Sequence, residues 1–405
     1  MKRRFHIAVL GAGIMGSCTA LFLARSGCRV TLIDAASTPV ARASRWNEGK
    51  IHLGYLYAAD PTLRTARHVL PGSLAFRPVL EECVGRSIGS IMTWDDDLYL
   101  CHRESVVSAD DQWRYLTAVD ALVRSHEGAG DYLVDVREAH SERLSPAEVA
   151  SVSDSPEIIA GFRVPERSVS TTRVATLLQD AVTAEPAIML CTDTRVTGVR
   201  SEASDHAGPW VVATTKGDLD GFDVIVNALW EGKLVIDRTL SIRPPTCFSH
   251  RYRRALFVRT TKPLTIPSTV ISTGPFGDIK NFGDRDFYIS WYPSGLAAYG
   301  TDVDPPAVAE LDDRANTELI DEVFDNLGRR LPPVKRIREC IESVRVEGGW
   351  VYAAGEGHLA DPRSSLHHRS DFGIQQHGSY YSVDTGKYCT APWLAQRLAA
   401  KIRGN

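Results

Sequence analysis

The sequence lacks the features that mark membrane-spanning and nucleic-acid-binding proteins. Although 43% of its residues are hydrophobic, no stretch approaches the roughly eighteen uninterrupted apolar residues of a transmembrane helix. The formal net charge of −4 provides no positive field for a polyanion. With 24% charged residues, the composition is that of an ordinary globular protein. We therefore expect neither a transmembrane segment nor a nucleic-acid partner.

Cysteine is scattered along the chain rather than paired. The absence of a C-x-x-C motif argues against a disulfide framework or a zinc site. His367 and His368 are adjacent, but no third ligand or spaced carboxylate accompanies them, so no metal centre is expected. The sequence also has no P-loop, H-E-x-x-H or G-x-S-x-G motif. The cysteines are residues 18, 28, 83, 101, 191, 247, 340 and 389.

The amino terminus resembles a secretion signal only in its first residues. Met1-Lys-Arg-Arg is basic, but the apolar segment behind it has no small-residue cleavage site. A cytoplasmic protein is the simplest expectation. The length of 405 residues exceeds what one simple core supports and indicates two domains, or one domain with large insertions.

What the sequence does contain is a glycine-rich turn between a strand and a helix near its start. Residues 7–10 predict a buried strand, Gly11-Ala-Gly13-Ile-Met-Gly16 predicts the turn, and residues 17–26 predict a helix. Gly11 permits the tight turn, Gly13 the approach of a pyrophosphate, and Gly16 close packing of helix and strand. The amide groups of the helix amino terminus then face the phosphates. This context predicts a dinucleotide-binding site.

An acidic residue ends the second predicted strand, residues 29–33. Asp34 follows Gly11 by 23 positions, which suits a carboxylate that accepts the hydroxyl groups of an adenosine ribose. No arginine adjoins it, and this favours a free ribose over the 2′-phosphate of NADP. The element alone fits NAD and FAD equally.

The segment after Asp34 differs from the crossover of a simple NAD-binding domain. Residues 40–57 are polar, contain glycine and show little helical periodicity, which suits a segment running beneath a long cofactor. Together with Ala20 and Gly27, the opening resembles the ADP-binding signature of the D-amino-acid oxidase and glycerol-3-phosphate dehydrogenase superfamily of FAD-dependent oxidoreductases. Residues 47–57 are similar to the Ile-His-x-Gly-x-x-Tyr region of L-2-hydroxyglutarate and glycerol-3-phosphate dehydrogenases.

The carboxyl-terminal part carries a second resemblance to the same superfamily. Thr385-Gly386-Lys387, followed by a predicted helix at 393–402, is similar to the terminal Gly-Lys-x-Thr-Thr of glycerol-3-phosphate dehydrogenases. A lysine and a helix amino terminus at this place stabilise the negative charge of a reduced flavin. The same Gly-Lys pair, taken alone, is only a turn with a solvated lysine.

The resemblance implies that distant segments assemble one FAD site. In the middle of the chain, Val196 matches a position that contacts adenine, whereas residues 227–230 fill the family's Ala-Thr-Gly slot without its Thr-Gly. A strand end with no cofactor contact is the alternative for that slot. The residues implied to contact FAD are Gly11, Gly13, Ile14, Met15, Gly16, Asp34, Ala35, Arg42, Ser44, Arg45, Asn47, Gly49, Lys50, Ile51, Val196, Ala228, Trp230, Thr385, Gly386, Lys387 and Tyr388.

The implied fold is an α/β flavoprotein of two domains. A Rossmann-like FAD-binding domain, discontinuous in sequence, is joined to a β-rich mixed substrate domain. The motifs match the FAD segments and leave the substrate domain almost unmatched. The expected FAD-binding domain comprises residues 1–80, 151–240 and 341–405, and the expected substrate domain comprises residues 81–150 and 241–340.

The implied reaction removes hydride from a carbon that bears a hydroxyl or an amine, as in a 2-hydroxy acid, a polyol or an amino acid. His52 is the candidate base, because a near-neutral imidazole suits proton abstraction; a histidine that only hydrogen-bonds the flavin or backbone is an equal alternative. Lys387 is the candidate for charge compensation. Arg345 is the candidate clamp for a substrate carboxylate or phosphate. Further candidates above the flavin are Tyr288, Arg251, Arg253 and Tyr292.

Two other functions stay open at this point: an NAD-dependent dehydrogenase and a non-catalytic FAD-binding protein. NAD binding needs neither the segment 42–57 nor the Gly386-Lys387 pair. The sequence does not specify the substrate, the electron acceptor or the mode of FAD attachment. Cys340 and Cys389 lie near implied cofactor segments and are the candidates for a covalent thioether link.

Overall fold

The computed structural model describes residues 5–201, 209–283 and 285–404. The strands are β1 His6–Leu10, β2 Arg29–Ile33, β3 Lys50–Ile51, β4 Asp97–His102, β5 Glu142–Arg143, β6 Ile158–Val164, β7 Arg167–Ser168, β8 Ile188–Cys191, β9 Val196–Ser201, β10 Trp210–Thr214, β11 Leu219–Phe222, β12 Val224–Asn227, β13 Ser249–Thr260, β14 Thr269–Ser272, β15 Gly277–Asn281, β16 Asp286–Trp291, β17 Leu296–Gly300, β18 Ile341–Ala353, β19 Gly373–His377 and β20 Tyr380–Asp384. The helices are α1 Ile14–Arg25, α2 Arg64–Leu74, α3 Phe76–Val84, α4 Ala109–Ser125, α5 Pro146–Val152, α6 Thr171–Ala184, α7 Lys233–Thr239, α8 Tyr292–Gly295, α9 Asp313–Arg330, α10 Pro333–Arg338 and α11 Ala391–Arg403.

A six-stranded sheet in the order β19-β20-β12-β1-β2-β8 carries the glycine-rich turn. All its neighbouring pairs are parallel except β19 with β20. The central strand β1 is buried from Ile7 to Leu10, as expected for a parallel sheet covered on both faces. The predicted succession of strand, turn, helix and strand is confirmed by β1, α1 and β2.

A nine-stranded sheet forms the second layer of the molecule. Its order is β17-β13-β16-β15-β14-β4-β6-β5, and β18 pairs with β13 along the whole of that strand. Most of its pairs are antiparallel, whereas β14 and β4 run parallel. The predicted α/β class, with a Rossmann-like part and a β-rich mixed part, is therefore confirmed.

Two strands of the nine-stranded sheet come from segments that the sequence assigns to the FAD-binding domain. Strand β6, in the segment 151–240, and strand β18, in the segment 341–405, both belong to the nine-stranded sheet rather than to the dinucleotide-binding sheet. Each strand is fixed by partners far away in sequence: β6 by β4, and β18 by β13. Such pairings leave no local signal in the chain.

The two large sheets share one hydrophobic core. Its buried side chains include Ile7 and Val9 of β1, Tyr99 of β4 and Phe162 of β6, so it connects both layers. A second cluster packs α9 against the nine-stranded sheet. Within the described residues, no helix combines the length and the apolar character needed to cross a bilayer.

Candidate active site

A cavity of about 1500 Å³ lies at the carboxyl ends of the parallel strands and continues beneath the nine-stranded sheet. Gly11 follows β1, Asp34 follows β2, Ala228 follows β12 and Thr385 follows β20, and all four line the cavity. Ligands of open α/β sheets bind at this edge, where the strands end. The cavity is therefore the candidate site.

The glycine-rich turn lies at one end of the cavity and is tightly packed against its neighbours. Gly11 has a φ of +93°, and a Cβ on it would lie 2.7 Å from the carbonyl oxygen of Ala228. A Cβ on Gly16 would lie 1.8 Å from the carbonyl oxygen of Gly11. Both positions therefore require glycine, the first for its backbone conformation and the second for the contact between turn and helix.

Polar contacts connect this turn to the segments around it. The carboxylate of Asp34 accepts hydrogen bonds from the backbone amides of Ala12 at 2.6 Å and Ala36 at 2.7 Å. The hydroxyl of Ser44 accepts one from the amide of Ile14 at 3.0 Å, at the first residue of α1. No acidic side chain occupies the first turn of that helix. Its amino terminus therefore offers amide donors and a positive dipole to an anion.

His52, Tyr57 and Lys387 meet at the other end of the cavity. His52 is 2% exposed; its Nδ1 atom and the hydroxyl of Tyr57 have no hydrogen-bond partner within the described residues. The two rings lie 5.6 Å apart, and the ammonium of Lys387 lies 5.4 Å from the centre of the Tyr57 ring. Buried polar atoms without partners indicate that a ligand supplies the missing contacts.

Burial and neighbouring positive charges lower the pKa values of His52 and Lys387 at this end of the cavity. Burial and the charges of Lys387 and Lys50 hold the pKa of His52 well below its ordinary value. Burial and the charge of Arg369 lower the pKa of Lys387 to about 8. At neutral pH the imidazole is thus uncharged and the lysine is mostly protonated. Such displaced pKa values in a cleft are typical of functional sites.

Comparison with known proteins identifies the family. The family model for FAD dependent oxidoreductases (DAO) matches residues 6–378, which is most of the chain. This chain belongs to that family. It is an FAD-dependent oxidoreductase, and the NAD-dependent and non-catalytic alternatives are set aside.

Solved structures show the same fold. Glycine oxidase from Geobacillus kaustophilus superposes with a TM-score of 0.70 at 16% identity, covering 100% of this chain and 96% of that one. L-proline dehydrogenase from P. horikoshii gives 0.65 at 16% identity, with 100% and 95% covered. L-alpha-glycerophosphate oxidase from Mycoplasma pneumoniae, a structure with FAD bound, gives 0.62 at 14% identity, with 99% and 95% covered.

The residues present fit FAD. The turn at Gly11 and Gly16 leaves no room for a Cβ, the α1 amino terminus has amide donors, and the carboxylate of Asp34 is placed beside the turn. The chemistry that FAD supplies when bound is two-electron oxidation of the substrate. The predicted cofactor contacts that line the cavity are Gly11, Gly13, Ile14, Met15, Asp34, Ala35, Arg42, Ser44, Asn47, Lys50, Val196, Ala228, Trp230, Thr385, Gly386, Lys387 and Tyr388.

Four predicted contacts lie behind the cavity wall instead. Gly16 packs against the turn, and Ile51 is fully buried in β3. Gly49 has a φ of +65°, and a Cβ on it would lie 1.9 Å from the carbonyl oxygen of Val169. The guanidinium of Arg45 lies over the Trp46 ring at 5.3 Å. These residues shape the wall without facing the cavity.

Lys50 lines the cavity, but its ammonium is engaged elsewhere. It contacts the carboxylate of Asp97 and donates to the hydroxyl of Tyr99 at 3.0 Å. Lys280 donates to the same oxygen of Asp97 at 2.6 Å. A buried cluster of two lysines and two carboxylates, the second being Glu166 at 3.5 Å from Lys50, thus lies beside the site. The predicted contact of Lys50 with FAD has no support in these contacts of its ammonium.

Arg345 and Tyr288 are not brought to the cavity. Both are paired with Phe257 of β13, Arg345 from β18 and Tyr288 from β16. Arg345 is exposed to solvent. Tyr288 is buried in a small cluster with Ala255 and Phe282. Phe257 shares a face of β13 with Arg251 and Arg253 but lies farther along that strand. Neither Arg345 nor Tyr288 lines the cavity, so the predicted clamp function of Arg345 lacks geometric support.

Arg251 and Arg253 face the cavity from β13, because residues two apart share one face of a strand. Tyr292 connects them: its hydroxyl lies 3.3 Å from Nη1 of Arg251, and the Arg253 guanidinium lies 4.6 Å from its ring centre. The Nε atoms of both arginines have no partner within the described residues. Both were weaker candidates in the sequence.

Sequence reasoning missed Arg369. This buried residue lines the cavity and donates to the carbonyl oxygens of Tyr352 at 3.0 Å and Gly386 at 2.9 Å. It therefore holds the Gly386-Lys387 turn in place. The adjacent histidines drew attention to this loop in the sequence, but Nε2 of His367 donates within its own loop, to the carbonyl oxygen of Asp361 at 2.9 Å. The carboxylates of Glu48 and Asp278 also line the cavity without a sequence signal.

Neither cysteine considered for a thioether link lines the cavity. Cys389 is fully buried, and its sulfur lies 3.2 Å from the hydroxyl of Ser73. Cys340 packs against the second hydrophobic cluster. Among the described residues, no group of three or more potential metal ligands comes together.

Proposed function

We propose that this protein oxidises a small anionic substrate at a carbon that bears an amine or a hydroxyl group. The named relatives support both bond types, since glycine and proline are amines and glycerophosphate carries hydroxyl groups. The observation that carries the proposal is the pair of arginines on β13, which face the same cavity as His52 and Lys387.

The charges around this end of the cavity favour an anion. Arg251 is only 5% exposed, and its unpartnered Nε atom is available to a ligand. A guanidinium binds a carboxylate or a phosphate through two parallel hydrogen bonds. The cations outnumber the acids: the former are Arg251, Arg253, Arg369 and Lys387, and the latter are Glu48 and Asp278.

His52 acts as the base in this proposal. Because its pKa is lowered by burial and by Lys387, the imidazole is neutral at physiological pH. With its proton on Nε2, the unpartnered Nδ1 atom accepts the proton of a substrate hydroxyl or ammonium group. The positive charges of Lys387 and Arg369 stabilise negative charge that develops at this end during oxidation.

A substrate series with an arginine variant tests the proposal. FAD-loaded protein is mixed anaerobically with amino acids, 2-hydroxy acids and polyol phosphates, and separately with their uncharged analogues, such as 2-hydroxy amides and free polyols. It should lose its visible flavin absorption only with anionic members. Arg251→Gln removes a charge-assisted contact of about 1.5–3 kcal/mol, and we expect KM to rise roughly ten- to hundredfold.

Arg259→Gln is the matched control, because Arg259 lies on the same strand and pairs with Asp286 at the surface. It should leave KM unchanged. Reduction by uncharged analogues at the same rate, or an equal effect of both arginine variants, would contradict the anionic substrate.

A further inference from the structure

Glu166 lies beside the site without lining the cavity, and it holds the loop that follows His52. Its side chain is fully buried. One carboxylate oxygen, Oε1, accepts hydrogen bonds from three consecutive backbone amides: Leu53 at 2.6 Å, Gly54 at 3.1 Å and Tyr55 at 3.4 Å. The turn between β6 and β7 is thereby attached to the loop directly after the candidate base.

The other carboxylate oxygen of Glu166, Oε2, contacts Lys50, which lies before His52 in the chain. Oε2 accepts from the hydroxyl of Tyr99 at 2.6 Å and lies 3.5 Å from the ammonium of Lys50. Lys50 precedes His52 by two residues. One buried carboxylate is therefore bound to the chain both before and after the candidate base.

Two further contacts restrain the segment around His52. The hydroxyl of Tyr132 donates to the carbonyl oxygen of Ile51 at 2.6 Å. Gly54 has a φ of +117°, and a Cβ on it would lie 2.6 Å from the Cβ of Ala66. The backbone is thus held by contacts on both sides of His52, whereas Nδ1 of its ring has no partner within the described residues.

We propose that Glu166 is a positioning residue that holds His52 at its working place in the cavity. The inference rests on the base function proposed above for His52. Without the carboxylate, three buried amides lose their common acceptor, and the loop must move to satisfy them. A displacement of about 1 Å at a reacting group lowers a rate on the order of 100-fold.

Two conservative variants separate position from charge. Glu166→Gln keeps an oxygen at the same reach for the three amides but loses the negative charge beside Lys50. Glu166→Asp keeps the charge but is one methylene shorter, so its oxygen withdraws from the amides. We expect kcat per bound flavin to fall on the order of 100-fold in Glu166→Asp and to change little in Glu166→Gln.

Thermal stability and KM provide the complementary readouts. The melting temperature should fall in both variants, because each perturbs the buried cluster, and KM should stay near that of the wild type. If Glu166 served only to balance buried charge, Glu166→Gln would be the impaired variant and Glu166→Asp the active one. That order of activities would overturn the proposal. Tyr99→Phe, which removes the hydroxyl between Lys50 and Oε2 but leaves the three amide contacts at Oε1, is the control and should retain kcat.

A double variant distinguishes this inference from the proposed base function. If His52→Gln has wild-type activity, the base function fails, whatever Glu166 does. If His52→Gln is impaired, Glu166→Asp should cause no further loss in that background, since it acts through His52. A further loss of the full 100-fold in the double variant would show that Glu166 does not act through His52, and the positioning inference would then fail alone.

Discussion

Burial shifts the pKa values of individual side chains in this cavity away from those of the same side chains in solvent. Lys387 is the clearest case, since burial and Arg369 lower its pKa to about 8. It is protonated below that pH and neutral above it. The positive charge offered to an anionic substrate therefore disappears within an accessible alkaline range.

Activity should accordingly decline as the pH rises through about 8. Lys387→Arg should shift this alkaline decline upward by more than about one unit, because a guanidinium keeps its proton. The measurement is the pH profile of kcat/KM for an anionic substrate. If the decline occurs at the same pH in Lys387→Arg, a group other than Lys387 is titrating. Lys280 is that group, since burial and Lys50 lower its pKa to about 8 as well.

The sequence identified some site residues and misplaced others for a physical reason. Gly11, His52 and Lys387 belong to local motifs, and the structure brings all three to the cavity. Their functions stay predictions. Arg345 and Arg251 are both arginines on β-strands, and the register of β13 with β18 places Arg345 opposite Phe257, six residues along β13 from Arg251 and away from the cavity. Register is a property of the paired strands and is not readable from either segment alone.

Among the elements, the junction of β1 and α1 depends most strictly on its sequence. A Cβ at position 16 would lie 1.8 Å from the carbonyl oxygen of Gly11, so Gly16→Ala must push α1 away from the turn. Overpacking of this kind costs about 1–3 kcal/mol. We expect FAD to bind at least about tenfold more weakly in this variant, because the turn and the helix amino terminus no longer form one surface.

Gly27→Ala is the matched control at the other end of the same helix. Gly27 has a φ of +93°, so alanine is strained there, but a Cβ would meet no atom within 4 Å. Both variants should lower the melting temperature, whereas only Gly16→Ala should weaken FAD binding, as measured by titration of flavin fluorescence. Equal loss of FAD in the two variants would show that the stability of α1, and not the fit between the glycine-rich turn and the helix amino terminus, controls the affinity for FAD.

Elements that their own sequence specifies were predictable, whereas the sheet to which a strand belongs was not predictable where it depends on pairing with a distant segment. The succession β1, α1, β2 follows from an apolar run, a glycine turn and a helical pattern within thirty-three residues. By contrast, the sequence assigns β6 and β18 to the FAD-binding domain, whereas both strands pair into the nine-stranded sheet. Their places depend on pairing with β4 and β13, from which long intervening segments separate them.

The whole molecule is organised around interleaved rather than consecutive segments. The dinucleotide-binding sheet takes strands from residues 6–33, 188–227 and 373–384. The nine-stranded sheet uses most of the chain between them. Because one hydrophobic cluster contains Ile7 of the first sheet and Phe162 of the second, neither sheet has a core of its own on that side. Division of the chain at any point between β4 and β18 would leave both sheets incomplete.

We therefore expect the two sheets to unfold together. Calorimetry of the FAD-loaded protein should show one cooperative transition, whose calorimetric and van't Hoff enthalpies agree. Free FAD at about 100 times its Kd should stabilise the folded state by about 2.7 kcal/mol and raise the transition temperature. Two separate transitions, with only one of them sensitive to FAD, would contradict the shared core. A single transition that ignores FAD would instead show that the folded state does not bind the cofactor at that concentration.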